Sequence, residues 1–312
     1  MNLIKVLLLL SGMLFAAKDG IGVGENIIHH VSNSDISHPL IKLPTIFGIN
    51  FSITKHVMML WLVVLIVLVV IVFPVQSFIK SRKKIPTGWL ALLDIIVVFI
   101  RDTIVRPNIG TKWTSFWTPL FLTLFFFILF ANGIGLIPIF DVLGLSDRLI
   151  FNTSKDSILN SLLHGGVTAT GNFNVTAGLA AVTFLSIIIA GTLEHGFVKH
   201  WKNIVPSGLA WPIYIILLPI EIMGLFVKPF ALTMRLAANM TGGHIALLAL
   251  LSLTHIIGTN FHSLAAGIGA AFVSVPLSVG ITGLEIIVVL VQAYVFTLLT
   301  AVFVGMAINV HH

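Results

Sequence analysis

E-I-M-G-L-F-V-K-P-F-A-L-T-M-R-L-A-A-N-M-T-G-G-H, running from Glu221 to His244, is the stretch on which the reading of this chain turns. Apolar sequence extends on both sides of it. From Ser207 to His312 the only Asp, Glu, Lys or Arg residues are Glu221, Lys228, Arg235 and Glu285. The first three stand at a spacing of seven, which on an α-helix is about two turns with a drift of roughly 20°. Glu221, Lys228 and Arg235 therefore share one helix face, and Asn239, one turn on, lies close to it. A polar stripe on an apolar helix must face protein or water, because lipid does not solvate it.

Arg235 is the sharpest residue in the stretch. Arg at the centre of a membrane helix costs about 2.5–3.5 kcal/mol on insertion scales. Its guanidinium does not deprotonate in proteins, so it acts as a fixed charge and not as a relay. A carboxylic acid brought within about 4–6 Å of it is pushed toward the ionised form by roughly 1–3 pKa units. The competing structural roles are snorkelling to an interface or a locked ion pair.

Composition sets the class. The chain is 57% hydrophobic and 9% charged, whereas a soluble domain carries about 25% charged residues. Such a chain buries its surface in lipid, which predicts an all-α polytopic membrane protein. There is no cysteine, hence no disulfide and no thiolate metal site. The net charge of +6 in a membrane protein reports topology, not nucleic acid.

Lys5 followed by the apolar run Val6–Phe15 and the small residues Ala16 and Ala17 reads as a signal peptide over 1–17, although bulky Phe15 is an imperfect fit to the cleavage pattern. An uncleaved interfacial segment is the alternative. Residues 18–55 read as a polar extracytoplasmic segment and 56–312 as the membrane domain. His56–Phe78 is the first spanning helix, and Lys80, Arg82, Lys83 and Lys84 place its end on the cytoplasmic side. Leu90–Val105, apolar but charged near both ends, predicts an amphipathic helix at that surface, with a short buried helix as the alternative. Arg106–Gly110 reads as a turn.

Ser115–Ile137 spans outward, with Asn132 expected to serve helix packing. Pro138–Ala177 is a polar outside loop. Gly178–Val198 spans inward to Lys199 and Lys202, with Glu194 and His195 in structural roles near that end. Two apolar segments remain, Pro206 to Ile257 and Leu264 to Val310, each far longer than the roughly 20 residues a crossing needs. Simple hydropathy cuts the first at Lys228–Pro229, making Lys228–Arg235 a loop. The charges keep helical register across that cut, so one long tilted helix kinked at Pro219 and Pro229 fits better. Gly267, Gly269, Gly280 and Gly283 predict close packing of the second segment. Glu285 and Gln292 are again seven apart on one face. The count is five transmembrane helices plus one interfacial helix, with the mature N-terminus outside and the C-terminus cytoplasmic.

M-R-L-A-A-N-M-T-G-G-H, preceded by V-K-P-F, resembles the signature of subunit a of the F-type ATP synthase membrane sector. L-E-I-I-V-V-L-V-Q-A-Y-V-F-T-L-L near the end is similar to the last helix of that family, and Phe130–Pro138 (F-A-N-G-I-G-L-I-P) to an earlier one. The resemblance covers residues from about 50 to the end. It implies the static half of a proton-driven rotary machine in the cell (inner) membrane. The last two helices pack as a hairpin against a ring of c subunits, with peripheral-stalk b subunits, the rest of the ATP synthase complex and membrane lipid as partners.

By that resemblance two aqueous half-channels deliver protons to and from a ring carboxylate. Arg235 matches the Arg that keeps the ring acid ionised between them. Gln292 matches a Gln packed near it, Asn239 a pathway Asn, and Glu221 an acid on the cytoplasmic side. His244 and Glu285 match a pair in the outside half-channel, in the transposed order of mitochondrial forms.

Arg235 and His244 are nine residues apart, about 180° around a helix, so they face opposite sides. The resemblance implies a non-catalytic subunit with no cofactor and no metal. No phosphate-binding Gly loop, H-E-x-x-H or G-x-S-x-G motif occurs. The alternative function is a secondary transporter with an intramembrane polar site, but no repeat of 20–50 residues is visible.

Overall fold

A computed structural model describes residues 41–46, 49–50, 52–81, 85–136, 169–203 and 211–309. The proposed signal peptide, most of the 18–55 segment, the Arg82–Lys84 cluster, most of the Pro138–Ala177 loop and His312 lie outside the described residues. Among the described residues the chain is almost wholly helical. Near the start of the described residues β1 (Thr45–Ile46) pairs antiparallel with β2 (Ile49–Asn50), and Ile41 bridges Ile53 in the same sense.

Five helices are long and apolar enough to cross a membrane: α1 (Lys55–Lys80), α3 (Thr111–Leu136), α4 (Phe173–His195), α6 (Trp211–Asn260) and α7 (Leu264–Ile308). Between α1 and α3 lies α2 (Trp89–Phe99), which continues as π-helix over Ile100–Val105 and as α-helix over Arg106–Ile109. The short α5 (Phe197–Lys202) follows α4. The five spans agree with the hydropathy reading.

The helix ends have local causes. Asn172 caps α4, its Oδ1 accepting from the Asn174 N–H at 2.8 Å, so the span begins ahead of the expected Gly178. Gly196 ends it at φ 83°, a conformation that costs glycine no Cβ clash. The segment from Arg106, expected as a turn, instead continues the helix through Ile109. The chain turns only at Gly110, φ 84°.

α6 runs unbroken through Pro219 and Pro229. Each proline removes one N–H from the ladder, and a membrane helix tolerates this where neighbouring groups satisfy the freed carbonyl. The loop alternative at Lys228–Arg235 is therefore absent. The α6–α7 hairpin turns in three residues, Phe261–Ser263. Ser263 caps α7 through its Oγ, which accepts from Ala266 N–H at 3.4 Å. Gly258 and Gly267 meet there so closely that a β-carbon on Gly258 would lie 3.5 Å from the Gly267 Cα. Of the four glycines whose small faces allow close packing, Gly267 is used in this way within the chain; around Gly269, Gly280 and Gly283 no atom of the described residues lies within 4 Å of an added β-carbon.

The chain forms two compact units. One comprises residues 60–134, 172–237 and 290–312. Its core contains Ile100, Ile104, Phe121, Ile128, Leu232, Leu236, Phe296 and Val304. The helix expected at the surface thus buries one apolar face, including Leu93 and Ile100, and leaves Ile95 and Phe99 exposed. In lipid there is no hydrophobic drive between helices, so close packing and interhelical hydrogen bonds hold them. Thr183 and Thr300 share such a bond at 3.1 Å, and Trp89 Nε1 donates to Val70 O at 3.0 Å.

Lys112 pairs with Glu194 at 2.7 Å, and Trp113 Nε1 donates to the same carboxylate. His195 Nε2 lies 2.9 Å from Ile308 O. These are the structural roles expected for Glu194 and His195. Asn132 is fully buried, as a packing residue should be. On the π-helical segment Asp102 accepts from Arg101 Nε and Nη2, both at 2.9 Å, and these bonds hold its carboxyl below the usual range.

The other unit comprises residues 1–59, 135–171 and 238–289, and contains the hairpin tip.

Candidate functional site

The candidate residues sit on α6 and α7. On α6, Leu232, Thr233, Leu236 and Met240 are buried, whereas Met223, Phe226, Val227, Phe230 and Met234 are exposed. The exposed positions recur every three or four residues, so they form one apolar stripe. Arg235 and Asn239 are also exposed, but on the face that Glu221 and Lys228 share, roughly a third of a turn around the helix from that stripe. Among the described residues no ion pair or hydrogen bond involves Arg235. The locked-ion-pair role therefore has no support within the described structure, and Arg235 is exposed on a helix whose other exposed side chains are mainly apolar.

Glu221 and Lys228 are half-buried on the same helix. Lys228 Nζ lies 5.6 Å over the Phe303 ring, a cation–π contact that offsets part of the cost of a charge in apolar surroundings. Glu221, Lys228 and Arg235 thus keep their common register but do not form a chain of ion pairs.

On α7, Gln292 is 4% exposed and sits beside buried Val289, Ala293 and Phe296. Glu285, two turns earlier, is half-buried. Its carboxyl end lies against the backbone of Gly243: Oε1 occupies the place a β-carbon on Gly243 would take, and Cδ lies 3.0 Å from that point. Gly243 immediately precedes His244, which is half-buried. The hairpin therefore brings Glu285 next to the His244 segment. Among the described residues no ion pair or hydrogen bond reaches the Glu285 carboxyl, so the two are neighbours and not a salt bridge.

Two features escaped the sequence reading. Ser274, Ser278, Thr282, Glu285 and Gln292 share one face of α7 by their spacing, a signal that was present but overshadowed by the charges. Ser278 and Thr282 donate to carbonyls four residues back, at 2.8 and 3.0 Å, which lets hydroxyls sit in an apolar helix. The second is Gly243, whose relation to Glu285 has no sequence signature. Among the described residues no three His, Asp or Glu side chains are grouped as metal ligands.

Long apolar helices, a charged register on α6 and a facing acid on α7 define a polytopic membrane protein with ionisable groups at span depth. Comparison with known proteins makes the assignment specific. Residues 57–305 match the ATP synthase A chain family. The chain is 40% identical over 292 residues to ATP synthase subunit a 2 of Chlorobium luteolum, covering 91% of this chain and 75% of that one. It is 39% identical over 300 residues to ATP synthase subunit a 2 of Chlorobaculum tepidum, covering 94% and 75%. It is 36% identical over 270 residues to ATP synthase subunit a of Anaeromyxobacter dehalogenans, covering 85% and 60%. This chain belongs to the ATP synthase A chain family, and with its five membrane-length helices it is a multi-pass membrane protein.

Proposed function

We propose that this chain is the non-catalytic stator subunit of a proton-driven rotary ATP synthase, and that Arg235 is its barrier charge. The observation that carries the reading is Arg235 itself: an exposed residue with no ion pair or hydrogen bond among the described residues, on an uninterrupted helix whose other exposed side chains are mainly apolar, in a chain of this family. Such a surface suits a partner that is apolar except for one ionisable group, as a ring of c subunits is.

The chemistry follows from the charge. Two unit charges about 4 Å apart attract by about 4 kcal/mol at an effective dielectric of 20. A ring carboxyl arriving opposite Arg235 gives up its proton and stays ionised while it passes. It leaves only after a proton from the next half-channel neutralises it, because an ionised acid is poorly tolerated in lipid. Arg235 does not lose its own proton, so it separates the two half-channels and blocks a direct leak.

His244 and Glu285 serve the outside half-channel through water, since the carboxyl is not engaged in an ion pair. Asn239 lines the path and Glu221 serves the cytoplasmic side. Gln292 packs beside the barrier and tunes its position. The mature N-terminus lies outside and the C-terminus in the cytoplasm of the cell (inner) membrane. Peripheral-stalk b subunits and the remaining ATP synthase subunits complete the assembly. The secondary-transporter alternative has no observation of its own beside the family match.

Arg235→Ala tests the reading. The subunit should still assemble with the ring, and inverted membrane vesicles should no longer couple ATP hydrolysis to proton pumping. Pumping at the wild-type rate would refute the assignment of Arg235.

A further inference from the structure

Two consecutive glycines, Gly242 and Gly243, stand in the middle of α6, where neither has a positive φ that would require glycine. Their surroundings differ. A β-carbon added to Gly242 would meet nothing within 4 Å. A β-carbon added to Gly243 would fall on Glu285 Oε1, with Cδ at 3.0 Å and Cγ at 3.3 Å. The end of the Glu285 side chain therefore fills the volume that Gly243 leaves open. Among the described residues no hydrogen bond or ion pair holds that carboxyl, so its place is set by space and not by a polar partner.

We infer that Gly243 is a positioning residue for proton transfer: its missing side chain is the seat of the Glu285 carboxyl and keeps it one residue from His244. This rests on the reading above that Glu285 lies on the proton path. The atoms that would clash are the far end of a flexible side chain, not backbone. A methyl group at 243 can thus be accommodated by rotating Glu285 away, which spares the fold and moves the carboxyl. Gly242 supplies the control, because alanine there gains the same helix propensity and displaces nothing.

The experiment measures ATP-driven proton pumping in inverted vesicles containing the whole complex, normalised to assembled subunit, for Gly242→Ala, Gly243→Ala, Glu285→Asp, Glu285→Gln and the Gly243→Ala/Glu285→Asp double variant. Gly242→Ala should pump at the wild-type rate. Gly243→Ala should assemble and pump about tenfold or more slowly, since misplacing a reacting group by about 1 Å carries penalties of this order. Aspartate is shorter by one methylene and does not reach the seat, so Gly243→Ala should cost little further in the Glu285→Asp background. That non-additivity is the signature of two residues acting through one contact.

Gly243→Ala pumping like Gly242→Ala while Glu285→Gln is slow would overturn the positioning role and leave the proton-path reading standing. Glu285→Gln pumping at the wild-type rate would overturn that reading itself, and the positioning role with it. If Gly243→Ala lowers assembly, the normalised cycle still decides: an equal penalty for Ala at 243 in both backgrounds overturns the inference.

Discussion

The imidazole of His200 rests on the bare Cα of Gly191: its Nδ1 and Cε1 occupy the place of a β-carbon there, and its Cγ lies 3.0 Å from that point. This contact joins α5 to the end of α4. Unlike the Glu285 carboxyl, the ring is rigid and 5% exposed, so it has nowhere to swing. Gly191→Ala should destabilise the subunit by about 1–3 kcal/mol through overpacking. A shorter half-life of the purified complex on heating, relative to wild type, checks this. An unchanged half-life would show that the ring is displaced freely.

The same histidine should make stability depend on pH. Burial, and after it the charge of His195, lower the His200 pKa from 6.5. Above that ordinary value the ring is neutral both folded and unfolded, and it adds no pH dependence. As pH falls below it the unfolded chain takes up the proton first, so stability declines until the lower folded pKa is reached. His200→Asn should flatten this acid decline in heat-inactivation curves recorded across pH 5–8.

Glu194 satisfies two donors of unequal importance. Lys112 is 69% exposed at its side chain, so its pairing adds little. Trp113 Nε1 is the partner that loses more. Glu194→Gln keeps an acceptor for the indole and should change stability by less than about 1 kcal/mol, whereas Glu194→Ala should cost about 1–2 kcal/mol. Thermal denaturation of the two variants side by side separates them, and equal losses would give the ion pair the larger share.

For the barrier, Arg235→Lys should be nearly as inactive as Arg235→Ala in proton-driven ATP synthesis. An ammonium is compact, reaches differently and loses its proton when desolvated, whereas guanidinium does none of these. Synthesis rates near wild type in Arg235→Lys vesicles would mean that any positive charge suffices.

Exchanging the channel pair tests whether chemistry or order matters. His244→Glu with Glu285→His keeps both ionisable groups in the hairpin and should retain partial proton pumping, while Glu285→Gln and His244→Ala should each slow it and combine less than additively. Wild-type rates for both single variants across neutral pH would make the pair structural.

Much of this molecule was legible from its residues. Runs of apolar residues longer than a bilayer requires, with Lys80 to Lys84 at one end and Lys199 and Lys202 at another, mark the spans. The seven-residue spacing of Glu221, Lys228 and Arg235 showed that α6 continues where hydropathy alone would cut it. These are local properties, since helical period and the cost of a charge in lipid act along a single segment. The seating of Glu285 on Gly243 and of His200 on Gly191 was not legible. Nothing local distinguishes Gly243 from Gly242, or Gly191 from the unpacked Gly178. Whether a missing side chain is empty space or a socket depends on which atom another segment delivers to it. That is decided by packing between helices, where fit is felt to a fraction of an ångström.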